Sequence, residues 1–211
     1  MRVVIFGATG GTGKHLVKQA QQAGHEVTVL ARDVKKCAGF TQVTVVQGDS
    51  RNLADVAKAM VGQQGVLSSL GGDSLKQNNL LENSSRNIIA AMKTEGVRRI
   101  VVLGAAGALH NAQKYQKLPR KVLFWVFSRT FLRYPFLDSA AQERNIEASG
   151  LDYTVVHPPH LLNTPANGIL REMPDGLPPG GQSISREEVA KFMVEILPDE
   201  SYFGKGPYVS Y

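Results

Sequence analysis

The chain has 211 residues, 43% of them apolar and 20% charged, a balance that is ordinary for a globular protein and excludes a disordered one. No apolar stretch reaches the roughly 18 residues that a membrane-spanning helix needs, and the single cysteine, Cys37, excludes an internal disulfide and a cysteine-based metal site. The net charge of +6 comes from a basic segment at residues 114–137 that carries no nucleic-acid-binding motif, which favours anionic small molecules over nucleic acid as partners.

In chain order, the first predicted elements are a strand at residues 2–6, a helix at 11–23 and a strand at 26–30. Glycines in the first turn would let a pyrophosphate approach the backbone, and the N–H groups at the helix start favour an anion. The turn therefore predicts a dinucleotide site with contacts at Gly7, Thr9, Gly10, Gly11, Thr12 and Gly13. Because the first strand begins at the second residue, we expect no signal peptide and a cytoplasmic protein.

The end of the second strand indicates which dinucleotide binds. An NAD site usually carries an acidic residue there that bonds the adenosine ribose, whereas this chain has Arg32. A guanidinium at that position can hold a 2′-phosphate in a bidentate manner, and Lys36 just beyond would add positive field. Asp33 is an alternative partner for Arg32, and the lysines are also consistent with solvated surface charge. The pattern favours NADP over NAD.

The rest of the chain continues the same alternation. Predicted strands lie at residues 42–46, 65–69, 99–103 and 153–156, and predicted helices at 52–60, 75–94, 138–149 and 185–197. The 138–149 helix closes with Gly150 as its C-cap, and a capping box beginning at Ser185 opens the last helix. Short crossovers between apolar strands require a parallel sheet with helices on both faces. We predict a single α/β domain of Rossmann type.

Ligands bind beyond the carboxyl ends of the strands in such a sheet, so the residues there are further candidates. Asp49, beside Ser50, would accept a hydrogen bond from an adenine amino group or would be a solvent-facing turn residue. His160 would approach the nicotinamide or cap a turn. The glycines after the fourth strand offer backbone amides or serve a structural turn. The remaining predicted contacts are Leu70, Gly71, Gly72, Leu103, Gly104, Ala105 and Pro158.

These segments together resemble a known family. The relevant stretches are Gly7–Gly13, Val29–Asp33, Gly48–Asp49, Arg86–Lys93, Ser149–Tyr153, His157–His160 and Ile184–Glu188. They look like the atypical short-chain dehydrogenase/reductases, and within these they are similar to the NADPH-dependent flavin reductase and biliverdin IXβ reductase family, over nearly the whole chain apart from residues 108–137. The resemblance implies hydride transfer from NADPH to a flat conjugated acceptor. It also implies contacts at Gly7, Thr9, Gly10, Thr12, Arg32, Asp49, Gly71 and His160.

Two residues depart from the family pattern. The family serine after the fifth strand, to which a catalytic role is assigned, is matched here by Ala105, and the family histidine near the following helix falls on Ser139. The Tyr-x-x-x-Lys pair of the broader dehydrogenase class, which transfers a proton, is also missing from the sequence. Small residues beside the nicotinamide suit the stacking of a flavin, and His160 is the proton donor in this set for a bilin.

Residues 118–137 are rich in aromatic and basic side chains. Pro119 could open a helix there, and Pro135 should break or kink it. The segment is consistent with a helix packed on the sheet, a lid over an anionic planar substrate, a dimer face or a membrane-surface contact. We expect an NADPH-dependent reductase of free flavin (FMN or FAD), with biliverdin or a quinone as other acceptors. The alternative is a non-catalytic NADP-sensing regulator, and the sequence leaves the oligomeric state open.

Overall fold

Six parallel strands form the central sheet of the computed structural model, which describes residues 1–71, 78–108, 114–116, 118, 133–166 and 168–211. The strand order is β3-β2-β1-β4-β5-β6. The strands are β1 Arg2–Phe6, β2 Glu26–Ala31, β3 Val43–Gln47, β4 Gly65–Ser68, β5 Arg99–Leu103 and β6 Asp152–Val156. Each lies within about one residue of its predicted position, and the predicted Rossmann-type fold is confirmed. The order reverses between β1 and β4, which is where such sheets bind ligands.

Helices cover both faces of this sheet, as the alternation predicted. Among the described residues they are α1 Gly11–Gln22, α2 Leu53–Met60, α3 Leu80–Glu95, α4 Arg133–Glu147 and α5 Arg186–Glu195. Helices α1 and α5 enclose one apolar core, while α2, α3 and α4 enclose the other. Along β1, Val3 and Ile5 belong to the first core and Val4 and Phe6 to the second, because successive side chains point to opposite faces.

Two helix boundaries differ from the sequence prediction. Helix α4 is described from Arg133, five residues before the predicted start, and Pro135 lies near this described end, where a missing N–H is tolerated. Helix α3 begins at Leu80, because Asn78 and Asn79 before it are not helical, so the helix predicted over residues 75–94 starts later than expected. Helix α5 does begin after Ser185, whose hydroxyl accepts a hydrogen bond from the Glu188 N–H at 3.0 Å, as the capping box predicted.

The C-terminal part adds short strands that the sequence did not indicate. They are β7 His160–Leu162, β8 Arg171–Met173, β9 Ser183–Ser185 and β10 Tyr208–Ser210. Strands β7 and β9 pair in parallel, and β8 and β10 pair in antiparallel fashion. The chain before β10 also bonds along the outer side of β6: Val155 N–H donates to Lys205 O at 3.1 Å and His157 N–H to Pro207 O at 2.9 Å. This segment covers the β6 edge of the sheet and fixes the residues that follow β6.

Candidate functional site

The turn between β1 and α1 is closely packed and open to an anion. Gly7 has φ +79°, and a Cβ there would lie 2.7 Å from the Ser69 backbone. At Gly13 a Cβ would lie only 2.0 Å from Gly7 O, so α1 rests directly on the turn. Gly10 precedes α1, and among the described residues no side chain caps it and no acidic side chain lies in the first turn. The first N–H groups of α1 thus face an open position that suits a phosphate.

A cleft of about 160 Å³ extends from this turn across the ends of the neighbouring strands. Seven of its lining residues were predicted as cofactor contacts, and they are Gly7, Thr9, Gly10, Arg32, Ser50, Leu70 and Gly71. Sequence reasoning missed others, among them Gly48, Ser69 and Leu80. At Gly48 a Cβ would lie 2.6 Å from the Asp55 side chain, which shows how closely the β3 end packs against α2. Apolar walls and a glycine-lined end give the cleft the character of an adenosine site.

Two predicted cationic contacts, Arg32 and Lys36, follow β2. Arg32 lines the cleft and is exposed. Asp33, the alternative partner for Arg32, caps the short 3₁₀ turn Val34–Cys37, since its Oδ1 accepts a hydrogen bond from the Lys35 N–H at 3.0 Å. Lys36 is an exposed member of that turn. Arg32 therefore lies at the cleft and Lys36 lies outside its lining, and the 2′-phosphate contact of both residues stays a prediction.

Asp49 has a local partner. Its carboxylate accepts hydrogen bonds from Arg51, with Nη2 2.6 Å from Oδ2 and the backbone N 2.9 Å from Oδ1. The hydrogen bond from the Arg51 side chain, more than any other contact, lowers the pKa of Asp49. The neighbouring Gly48 and Ser50 line the cleft, and the Ser50 hydroxyl bonds the Ser84 hydroxyl at 2.8 Å. The adenine contact of Asp49 stays a prediction.

A second group of predicted residues meets at the ends of β5 and β6. Gly104 N–H donates to Val156 O at 2.9 Å, and Ala106 N–H donates to Pro158 O at 3.1 Å. These bonds hold the chain around Ala105 against the Pro-Pro turn after β6, and Pro158 is buried. The structure thus brings Leu103, Gly104, Ala105 and Pro158 together. Gly72 lies outside the described residues.

The two histidines after β6 have opposite surroundings. His160, the predicted catalytic residue, begins β7 and is exposed. His157 is only 1% exposed and stacks on Tyr208, with ring centroids 4.8 Å apart. The ring of His157 also lies beneath Gly104, where a Cβ would be 3.1 Å from its Cδ2 atom.

His157 forms a buried pair with Glu143 of α4. The His157 Nε2 atom lies 2.9 Å from Glu143 Oε1, and Nδ1 lies 3.2 Å from Gly206 O. Because a carbonyl oxygen only accepts, the contact with Gly206 O favours the tautomer in which Nδ1 is the donor. Glu143 Oε2 is buried without a partner among the described residues. Sequence reasoning missed this pair, since the two residues lie on different elements.

Helix α4 carries Ser139 at the position where the resembled family has a histidine, together with other buried polar side chains. Ser139, at the position of the family histidine, is 5% exposed and lies one turn before Glu143. Asp138 accepts hydrogen bonds from the N–H groups of Leu81 and Glu82, each at 2.9 Å, and so caps α3 from a distance. Helix α4 therefore links the start of α3 to the residues around Gly104.

The aromatic and basic segment, residues 118–137, lies largely outside the described residues, so the choice among a packed helix, a lid, a dimer face and a membrane-surface contact stays open. The described residues just before it contact the chain after β8. The Tyr115 hydroxyl donates to Asp175 Oδ1 at 2.8 Å, and Lys114 pairs with the same carboxylate. Gln116 Nε2 donates to Pro178 O at 3.0 Å. The approach to the segment is therefore fixed against residues 175–178.

The fold and the glycine-lined cleft define an NAD(P)-binding protein of Rossmann type. The sequence agrees, because a family model described as NAD(P)H-binding matches residues 7–200. The chain belongs to this NAD(P)H-binding family. An uncharacterized chloroplastic protein of Arabidopsis thaliana is 31% identical over 215 residues, which cover 96% of this chain and 74% of that protein.

Solved structures show the same fold at lower identity. A short-chain dehydrogenase/reductase from Veillonella parvula in complex with NADP has a TM-score of 0.80 and 20% identity, and covers 100% of this chain and 94% of its own. The anaerobillin reductase ChuY from Escherichia coli O157:H7 has a TM-score of 0.80 and 20% identity, with 100% and 97% coverage. Within the described part of the chain, no helix combines the length and apolar character needed to cross a membrane.

Proposed function

We propose that the protein is an NADPH-dependent reductase that transfers a hydride to a planar conjugated acceptor. Free flavin (FMN or FAD) is the first choice, and biliverdin or a quinone is the next. The observation that carries the proposal is the glycine turn between β1 and α1. A Cβ added at Gly7 or Gly13 would collide with neighbouring backbone, and the turn forms one end of the cleft that Arg32 lines. Glycines at a strand-to-helix turn let a pyrophosphate approach the backbone N–H groups at the helix start.

The choice of NADP over NAD rests on Arg32. It is exposed, lines the cleft and follows β2, where the 2′ position of an adenosine ribose lies in this fold. A bidentate, charge-assisted bond to a 2′-phosphate contributes about 1.5–3 kcal/mol, a factor of roughly 10–100 in affinity. Arg32→Ala should therefore weaken NADPH binding by about that factor and leave NADH binding nearly unchanged, as measured by calorimetry.

The control removes the same charge elsewhere. Lys18 is exposed on the outer side of α1, so Lys18→Ala lowers the net charge equally without touching the cleft. We expect it to weaken both dinucleotides by less than about twofold, because an exposed charge is screened by salt. Equal losses of NADPH and NADH affinity in Arg32→Ala would contradict the assignment of Arg32 to the 2′-phosphate.

The acceptor side favours a stacking reaction over reduction of an isolated ketone. Bound NADPH supplies the hydride, and the residues must position a flat acceptor against it with little water between them. Small residues such as Gly104 and Ala105 suit the stacking of two rings, and His160 is exposed at the turn after β6. A bilin needs a proton as well as a hydride, so His160 is the proposed donor for that acceptor. The fold shared with an anaerobillin reductase supports testing bilins.

The test is turnover by the purified protein. NADPH with FMN, FAD, biliverdin or a quinone in separate reactions should lose reduced-nicotinamide absorbance faster than a protein-free blank. NADPH binding without turnover of any acceptor would overturn the reductase proposal and favour the NADP-sensing regulator. His160→Ala should lower the rate with biliverdin by about 10²–10⁴-fold, the usual contribution of a general acid, and change the flavin rate little.

Residue 105 provides a second test of acceptor choice. The related family has serine where this chain has Ala105. We propose that alanine selects flavin, because a flavin requires no hydroxyl from the protein. Ala105→Ser should raise bilin reduction while flavin reduction changes little. A loss of both activities would show that residue 105 serves general activity.

A further inference from the structure

A guanidinium group lies across the first turn of α1. Arg186 is the first residue of α5, and Gly11 is the first residue of α1. A Cβ at Gly11 would lie 2.8 Å from Arg186 Nε and 2.9 Å from its Cδ. A side chain at position 11 would therefore displace the arginine. The glycine that sequence reasoning assigned to the cofactor thus also makes room for a cation from a distant helix.

The Nη1 group of Arg186 is engaged in two hydrogen bonds. Nη1 donates to Leu161 O at 2.9 Å and to Asn163 Oδ1 at 2.7 Å, which fixes the plane of the guanidinium. Within the described part of the chain, Nε and Nη2 have no hydrogen-bond partner. The nearby carboxylate of Glu187 is engaged elsewhere, because its Oε2 accepts a hydrogen bond from the Ala166 N–H at 3.1 Å. The Nε–Nη2 edge of an arginine fits two oxygens of a phosphate.

We propose that Arg186 binds the nicotinamide-side phosphate of the dinucleotide, an inference that rests on the proposed NADPH function. The adenosine cleft is lined by Gly7, Thr9 and Gly10, whereas Gly11 and Arg186 lie outside its lining. The adenosine-side phosphate would lie beside Gly10, and the nicotinamide-side phosphate would lie beside Gly11, next to Arg186. There the N–H groups of α1 and the arginine edge would both bind that anion.

The two cations then have separate roles. Arg32 would recognise a group that only NADPH carries, while Arg186 binds one that NADH and NADPH share. Arg186→Gln should weaken both dinucleotides by the same factor, about 10- to 100-fold for a lost charge-assisted pair. ADP and AMP locate the contact, because the β-phosphate of ADP corresponds to the nicotinamide-side phosphate and AMP has no such group. The variant should weaken ADP by that factor and AMP by less than about twofold.

Lys191→Gln is the matched control. Lys191 lies on the same helix, its side chain is 53% exposed, and its ammonium is 3.8 Å from Glu195, so its loss removes one charge far from Gly11. We expect unchanged affinity for ADP and both dinucleotides. Asn163→Ala distinguishes phosphate binding by Arg186 from the hydrogen bond that holds the Arg186 side chain in place. It removes a partner of Nη1 and leaves the Nε–Nη2 edge intact. An Asn163→Ala loss of ADP affinity as large as that of Arg186→Gln would overturn the inference.

The remaining outcomes are equally distinct. Arg186→Lys keeps the charge without the planar edge, and it should bind ADP with an affinity between those of the wild type and Arg186→Gln. Should Arg186→Gln fail to give a cooperative thermal transition, the lysine variant carries the test. Wild-type affinity for ADP in Arg186→Lys, or in a folded Arg186→Gln, would overturn the role of Arg186 and leave the proposed function standing. Wild-type protein that binds no NADPH or NADH would overturn the proposed function and this inference with it.

Discussion

The buried pair of His157 and Glu143 predicts a large loss of stability when only one partner is removed. His157→Phe keeps the aromatic stack on Tyr208, whose centroid is 4.8 Å away, but removes both ring nitrogens. Glu143, with its side chain 9% exposed, then has neither oxygen paired, since Oε2 already lacks a partner among the described residues. Breaking a buried pair in this way costs about 3–5 kcal/mol. We therefore expect the free energy of unfolding to fall by about that amount.

The assay is denaturant and thermal unfolding of matched variants. In a domain of this size, 1 kcal/mol shifts Tm by roughly 2–4 °C, so His157→Phe should lower Tm by about 6–20 °C. The double variant His157→Phe, Glu143→Met removes the stranded carboxylate and should regain most of the loss. Glu143→Gln should cost less than about 1.5 kcal/mol, because an amide N–H can donate to Nε2. A His157→Phe loss under 1 kcal/mol, or no recovery in the double variant, would refute the reasoning.

Two further predictions concern the cofactor half of the site. Gly13→Ala places a Cβ 2.0 Å from Gly7 O, which is backbone and cannot yield, so stability should fall by about 1–3 kcal/mol and NADPH binding should be lost. Gly39→Ala, where a Cβ meets nothing within 4 Å, should leave both unchanged in the same melting and calorimetry experiments. The Arg51 side chain lowers the pKa of Asp49 below its ordinary 3.8, so this pair stabilises the fold above pH 3.8, and its contribution is lost as pH falls through the folded pKa. Arg51→Ala should raise the Asp49 pKa toward 3.8 in a carboxyl NMR titration. The variant should be less stable than the wild type at neutral pH, and this difference should shrink at acid pH. An unchanged Asp49 pKa would contradict the prediction.

The central sheet could be predicted from sequence because its signals are local. Each strand is a short apolar run, and β1 begins at the predicted Arg2 and ends at the predicted Phe6. Helix starts were less predictable: α4 was predicted from residue 138, whereas the structure already describes it as helical from Arg133. The three-residue strands β7 to β10 are too short to carry a period. Their pairing depends on contacts between distant parts of the chain.

The histidines show why the acceptor side could not be predicted as well. His160 attracted attention because it follows two prolines at a strand end, a pattern visible in sequence. His157 continues the alternation of β6, so its ring lies on the same face as Val155 and meets Glu143 from α4. The signal available in the sequence was that His157, a polar residue, continues a buried strand and so needs a buried partner. The partner, 14 positions earlier on a helix, was not indicated by any local pattern.

The two halves of the site therefore differ in how they are built. The adenosine half is assembled mainly from the ends of β1 to β4, within residues 6–71, and its glycines act through their own backbone. The proposed acceptor half would instead use residues from separate elements: Gly104 follows β5, Glu143 lies on α4 and Gly206 lies in the C-terminal segment, and all three contact the ring of His157, which follows β6. Substitutions in the first half should change which dinucleotide binds. Acceptor choice should instead respond to changes on several separate elements, so related chains can keep the same cofactor and reduce different substrates.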